Sequence, residues 1–423
     1  MPGILLKNVT LDGCPRDIAI DGATIRRIAK AGELDESFPT CGYEVMDCTG
    51  LTAIPGFVNS HTHSAMSLMR GVGEDILFED WIKRIWEIEK GIDKDFVYWG
   101  TKAACLEMIR TGTTVFNDQY WFPSTARKAA AEMGILPAIS YIFLDNGDME
   151  KAMRQREECK ELYQESLEWG DSAIFTVSVH SVYSVCRENI VWAADFARSH
   201  GIRLHVHISE TLKEVNDCKK VQGGLSPVEY LDSLGFLGPD VIAAHTLWLD
   251  DRDVTILGER GVSCVHNINS NLKLASGYRF RYAELKDHGA NVCLGTDGCA
   301  SSNNLDMLEA MKTSAIVQKA WRDDPSAMQL PELMDMATVN GARALGLRTG
   351  RIEEGWRADI SLVDTHSSFF LSPAPFLSNL VYSAHSDCIK TVIAGGKVVM
   401  KDRVVPGEDE ILEGASQVLS ELQ

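Results

Sequence analysis

Hydrophobic positions recur along this chain in two rhythms. Over residues 3–54, short apolar runs at 4–6, 17–20 and 25–28 are separated by turn signals such as Asp21-Gly22, which predicts a small sheet with tight turns. After Pro55 the rhythm lengthens. Runs rich in β-branched residues fall at 53–59, 113–117, 135–143, 173–179, 202–208, 241–244, 262–265 and 291–295. Helical patterns lie between them, at 124–133, 149–169, 188–199, 250–259 and 305–321. Eight strands, each followed by helical sequence, is the count of a (β/α)8 barrel. Near-continuous apolar strands suit a parallel sheet buried on both faces, although an open doubly wound sheet would share the pattern.

Past Gly346 the short strands return, at 360–363, 390–394 and 397–399, with Gly395-Gly396 as a hairpin turn. The tail after Pro406 has helical spacing. The expected organisation is α/β: a (β/α)8 TIM barrel over residues 55–346, beside a small β-sandwich domain built from both chain ends. Residues 1–54 supply its first part, and residues 347–423 its second part plus a terminal helix.

Composition narrows the partners. Lys and Arg number 41 against 60 Asp and Glu, a formal charge of −19, which argues against nucleic acid or an anionic membrane as partner. The eleven cysteines are scattered, odd in number and without a CxxC pair, so reduced thiols in a cytoplasm are expected rather than disulfides. The opening MPGILLKNVTLDG lacks the apolar core and cleavage site of a signal peptide. No apolar run approaches the ~20 residues of a membrane helix.

The chemistry lies at the predicted strand ends. His61 and His63 follow the first barrel strand, His180 ends the fourth, His207 the fifth, His245 the sixth and His266 the seventh, and Asp297 sits just past the eighth. In a barrel these ends converge on one mouth. Residues two apart on a strand point the same way, so His61 and His63 can face one ion, although HxH alone also occurs by chance in loops. On the fifth strand, Leu204-His205-Val206-His207, the deeper His205 reads as a hydrogen-bonded core residue and His207 as the ligand. Asp297 can add an oxygen ligand, or cap the next helix. Three histidines and an aspartate leave one position of a catalytic site open, and such an ion lowers the pKa of its water to about 7. The fourth strand ends without a lysine to bridge two metals, so one ion is expected.

Several segments in this order, PGFVNSHTHSAMSLMRG, HSVYSV, HVHISE, AAHTLWL, SNLKLASG, GTDGCASSNNLDMLEAM and GRIEEGWRADI, resemble the amidohydrolase superfamily. The likeness is to its purine and triazine deaminase and chlorohydrolase branch, above all to 5′-methylthioadenosine/S-adenosylhomocysteine deaminases, and runs essentially end to end. It implies a metal-dependent hydrolytic deaminase of an adenosine-type nucleoside, with a guanine, pterin or cytosine deaminase or a triazine chlorohydrolase as the alternative. It implies His61, His63, His207 and Asp297 as ligands of one divalent ion, zinc before iron or manganese. Glu210 matches the proton shuttle, and His245 the residue that orients the attacking water, with Asp297 helping to protonate the departing ammonia. His180 matches a contact to the heterocycle and Glu89 a contact to ribose hydroxyls. The implied partner is a small aminated heterocycle, with neither nucleic acid nor membrane, and the implied assembly a homo-oligomer (dimer or tetramer).

The match departs in two places. Where the branch often has His-Asn-Pro, this chain has His266-Asn267-Ile268-Asn269-Ser270, which should place Ile268 and Asn269 beside the pocket. The arginine expected to hold a substrate carboxylate has only Lys151 and Arg154 as approximate counterparts. Cys299 is expected on the pocket wall and Asn340 at a helix end.

Overall fold

The computed structural model describes residues 2–34 and 42–421, and their strands form two sheets. At the amino end lie β1 (Gly3–Leu11), β2 (Cys14–Asp21), β3 (Thr24–Lys30), β4 (Tyr43–Asp47) and β5 (Leu51–Pro55). The middle of the chain supplies β6 (Phe57–Thr62), β7 (Thr113–Asp118), β8 (Leu136–Phe143) and β9 (Ile174–Val179). It continues with β10 (Arg203–Ile208), β11 (Val241–His245), β12 (Ser263–His266) and β13 (Asn291–Leu294). Near the carboxyl end are β14 (Ile360–Asp364), β15 (Ile389–Ala394) and β16 (Lys397–Met400).

Strands β6 to β13 pair in chain order, each parallel to the next, with helices between them. This is the (β/α)8 barrel and not the open sheet. Its ends meet at β13 and β6, where Asp297 donates its backbone N–H to the His61 carbonyl at 3.0 Å and the Asn59 side chain accepts the Thr296 N–H at 3.0 Å. Side chains alternate along each strand. On β10, Leu204, Val206 and Ile208 join the outer core under the helices, so His205 and His207 face the axis. Low in the barrel the axis is apolar: Val58, Val115, Ile242, Val265 and Cys293 pack against Ala342 and Leu345. The helix Val339–Leu345 carries the last two. Asn340 at its start ties it to β13, donating to the Val292 carbonyl at 2.9 Å. Toward the carboxyl ends of the strands the axis turns polar, and there the candidate residues gather.

Both chain ends build the second sheet, in the order β16-β15-β14-β5-β1-β2-β3 with β4 also on β1. The layers form from one continuous, curled sheet. Its β3 edge meets the segment leading into β14, where Ile25 donates its N–H to the Trp356 carbonyl at 2.9 Å and Ala358 to the Ala23 carbonyl at 2.8 Å. Ile18, Ile20, Ile25, Ile360, Leu362 and Ile393 share the core inside. The helix Glu408–Glu421 closes the described chain. Among the described residues, no helix is long and apolar enough to cross a membrane.

The single apolar run at 53–59 divides. β5 pairs antiparallel with β14 in the terminal sheet, while β6 enters the barrel. Gly56 is the joint, because a Cβ there would lie 2.4 Å from Thr114 Oγ1. A second close approach sits behind the site. The helix Lys94–Arg110 crosses the turn Ser64–Met69 at Gly100, where a Cβ would meet the Ala65 carbonyl oxygen at 2.7 Å. Because backbone cannot yield as a side-chain tip can, Gly100→Ala is expected to destabilise the protein by about 1–3 kcal/mol, read as a lowered Tm. An unchanged Tm would mean that the turn after His63 is not held there.

Candidate active site

Each candidate histidine is oriented through Nδ1. His63 and His207 donate Nδ1–H to main-chain carbonyls, of Gln119 at 2.6 Å and His180 at 2.7 Å. The His61 Nδ1 lies 2.9 Å from His205 Nε2, and the His245 Nδ1 2.9 Å from Asn271 Oδ1. The Nε2 atoms therefore face inward. Those of His61 and His63 lie 3.3 and 3.2 Å from Asp297 Oδ1. That of His245 lies 3.9 Å from Asp297 Oδ2 and 3.8 Å from Glu210 Oε2. The His61 and His207 rings are 4.9 Å apart.

Electrostatics mark the centre as a place for positive charge. Burial favours the neutral forms and holds His61 at about 4 and His207 well below its ordinary value. Burial also opposes ionisation of Asp297, but His61 and His63 outweigh it and hold that carboxylate well below the usual range. For His63 burial is again outweighed, by Asp297, and the imidazole rises to about 9. The buried carboxylate is thus ionised and demands a cation or a proton beside it.

Whether these residues fit a metal ion can be tested on the donors themselves. The His61 Nε2 is buried and, although 3.3 Å from Asp297 Oδ1, makes no hydrogen bond among the described residues. Two groups, His61-His63-Asp297 and His61-His207-His245, each bring their donor atoms within 4.8 Å of one another. Imidazoles plus one carboxylate, converging at the barrel mouth, is a donor set suited to a borderline divalent ion. The residues fit.

The turn after β6 is pinned by Asp118, which accepts from Thr62 Oγ1 at 3.0 Å, Ser64 N at 2.6 Å and Ser64 Oγ at 2.7 Å. Asp297 accepts from Ser270 Oγ at 2.7 Å and from its neighbour Gly298 N at 2.8 Å. Beyond β10 the chain bends at Ser209, with φ of 53°. The Glu214 carboxylate secures the bend by accepting the Ser209 and Glu210 N–H groups at 2.9 and 2.8 Å. Burial raises Glu210, and Asp297 adds to the rise. His245, Thr246 and Asp297 also have positive φ, of 72°, 42° and 65°. Such backbone costs on the order of 1–3 kcal/mol per residue and clusters where function fixes geometry.

One pocket takes in His63, Glu89, His180, Glu210, His245 and Asp297 together, with His207 at its base. Its roof is the helix Phe78–Glu89, which presents Phe78, Trp81, Ile82, Ile85 and Trp86. Burial raises Glu89 beside Trp121 and Tyr120. Burial also holds His180 at about 3, with its Nδ1 2.7 Å from Ser184 Oγ.

Other expectations need correction. His266 is fully buried with its ring stacked on Phe280 at 4.1 Å, away from the pocket. Ile268 is buried in the core and Asn269 turns outward to Glu309, so neither lines the pocket. Cys299 packs into the core, and Ser301 stands at the wall instead. Lys151 and Arg154 lie on the helix Met149–Ser166 outside the lining. Ser270, Asn271, Glu214 and the roof helix escaped sequence reasoning. For the roof helix the signal was present, as apolar residues at i, i+3, i+4, i+7 and i+8 over FEDWIKRIWEIE.

Parallel barrel and convergent imidazoles together define a barrel protein with a candidate metal centre at the carboxyl ends of its strands. The Amidohydrolase family matches residues 52–399, and the chain belongs to it. It is a hydrolase of carbon–nitrogen bonds. A 5′-deoxyadenosine deaminase of Methanoregula boonei is 43% identical over 422 residues, covering 99% of this chain and 95% of that protein. A 5-methylthioadenosine/S-adenosylhomocysteine deaminase of Archaeoglobus fulgidus is 42% identical, over 89% of this chain and 90% of that one. The crystal structure of an adenosine deaminase from Xanthomonas campestris with bound zinc superposes with a TM-score of 0.92 at 29% identity, covering 99% and 98% of the two chains.

Proposed function

We propose that this protein is a divalent-metal-dependent aminohydrolase, with zinc the expected metal, that converts an adenosine-type nucleoside to its inosine-type product and ammonia. The observation that carries the reading is the meeting of His61, His63 and His245 Nε2 on the two oxygens of Asp297, with Glu210 alongside. His61, His63, His207 and Asp297 would hold the ion. Bound there, it would lower the pKa of a water to about 7 and so supply a nucleophile at neutral pH.

The remaining steps belong to the chain. Glu210 takes a proton from the attacking water and returns it to the ring nitrogen next to the carbon that bears the amine. His245 orients that water from the opposite flank and, with Asp297, passes a proton to the amine as it leaves. His180 faces the heterocycle, and Glu89, at the far end of the roof helix, takes the ribose hydroxyls. The aromatic and aliphatic roof encloses the base and excludes bulk water.

The pocket lining bears on which nucleoside. Among the described residues it includes the carboxylates Glu89, Glu210 and Asp297 and no lysine or arginine. Lys213, in the adjoining groove, is already paired with Asp217 at 2.5 Å. A substrate carboxylate would go unpaired, at a cost of about 1–3 kcal/mol. Adenosines with an uncharged 5′ group, such as 5′-deoxyadenosine and 5′-methylthioadenosine, are therefore the proposed substrates. The expected kcat/KM for S-adenosylhomocysteine is on the order of ten-fold lower, the loss falling in KM. Ammonia release from a panel of these nucleosides with guanine, cytosine and pterins tests the reading. Equal or better use of S-adenosylhomocysteine would refute the 5′ preference, and release only from a non-adenine ring would refute the nucleoside assignment.

A further inference from the structure

His245 differs from His63 and His207 in what holds its Nδ1. Their partners are main-chain carbonyls, which can only accept. That of His245 is the side-chain amide of Asn271, with Oδ1 at 2.9 Å. An amide offers an acceptor on one arm and a donor on the other, so its orientation decides which imidazole nitrogen carries the proton. Asn271 is fully buried, and its Nδ2 has no hydrogen-bond partner among the described residues. Its position comes from the short helix Ile268–Lys273, in which Ser270, the residue before Asn271, donates to Asp297 Oδ2 at 2.7 Å. His245 Nε2 lies 3.9 Å from that same oxygen. Adjacent residues of one helix thus set both groups that flank the reacting amine.

We propose that Asn271 is a positioning residue for His245. By accepting the Nδ1–H it keeps Nε2 as a free lone pair aimed between Glu210 and Asp297, ready to take and hand on a proton. The left-handed backbone at His245 and Thr246 leaves the ring in a wound turn, and the amide fixes its rotation. The inference rests on the reading of His245 as a catalytic group.

The test uses the metal-loaded enzyme and four variants: N271L, which has similar bulk and no acceptor, N271D, which keeps one, H245A, and H245A/N271L. N271L is expected to lower kcat on the order of 10–100-fold with KM and metal content unchanged. N271D should recover most of that loss, and N271L should cost nothing further once His245 is gone. Should N271L not fold, N271A removes the acceptor without added bulk and carries the same expectations. A loss equal in N271D, a loss that persists in the H245A background, or a loss in KM or metal content would overturn the proposal. A crippled H245A beside a normal N271L sinks the role of Asn271 alone. A normal H245A removes the catalytic reading of His245 and the inference with it.

Discussion

Glu210→Gln is expected to lower kcat on the order of 10²–10⁴-fold, the usual contribution of a positioned acid–base group, while metal content and KM stay near those of the parent. Glutamine keeps the shape of the side chain and loses the ability to take a proton. Nothing that holds the site should move, because the Glu210 backbone is fixed independently by Glu214 and its side chain contributes to neither donor group. Burial raises this carboxyl, which brings it closer to the working range of a group that must first accept and then donate. Steady-state kinetics with metal analysis on the same preparation separates the possibilities. Normal turnover by Glu210→Gln would remove Glu210 as the shuttle, and loss of the ion would make it a ligand.

His61→Ala is expected to lose metal and activity together. Its imidazole belongs to both donor groups, is completely buried, and is backed by His205. Removing an outer-shell partner of a metal typically costs 10–100-fold in affinity or activity. Removing a ligand at the centre should therefore cost at least ~100-fold. The vacated space lies next to an ionised Asp297 held low by His61 and His63, so His63 alone would be left to offset that charge. Metal content by elemental analysis, set against kcat, checks this. A variant that binds metal normally yet is slow would place His61 outside the ligand set.

Much of this arrangement was legible in the sequence, for a physical reason. A parallel barrel buries both faces of its strands, so polar residues among apolar ones stand out, and they fall at the strand ends because the mouth is there. The alternation on β10 likewise turns both His205 and His207 to the axis, and depth along the strand separates them. Adjacency to the site proved a poorer guide. Cys299 and Ile268 are neighbours of site segments in sequence, yet helical turns carry both into the core. The split at Gly56 left no trace in hydropathy because both halves of the run are buried, one in each sheet. Ser209, His245 and Asp297 adopt left-handed backbone that no residue preference announces. The roles of Ser270 and Asn271 required knowing which strand end each faces.

Deamination of 5′-deoxyadenosine under metal control tests the central claim most directly. Enzyme stripped by a chelator, dialysed and reloaded with zinc should release one ammonia per inosine-type product formed, and the stripped enzyme should release none. Full activity in the stripped enzyme, or no product from the reloaded one, would contradict the account.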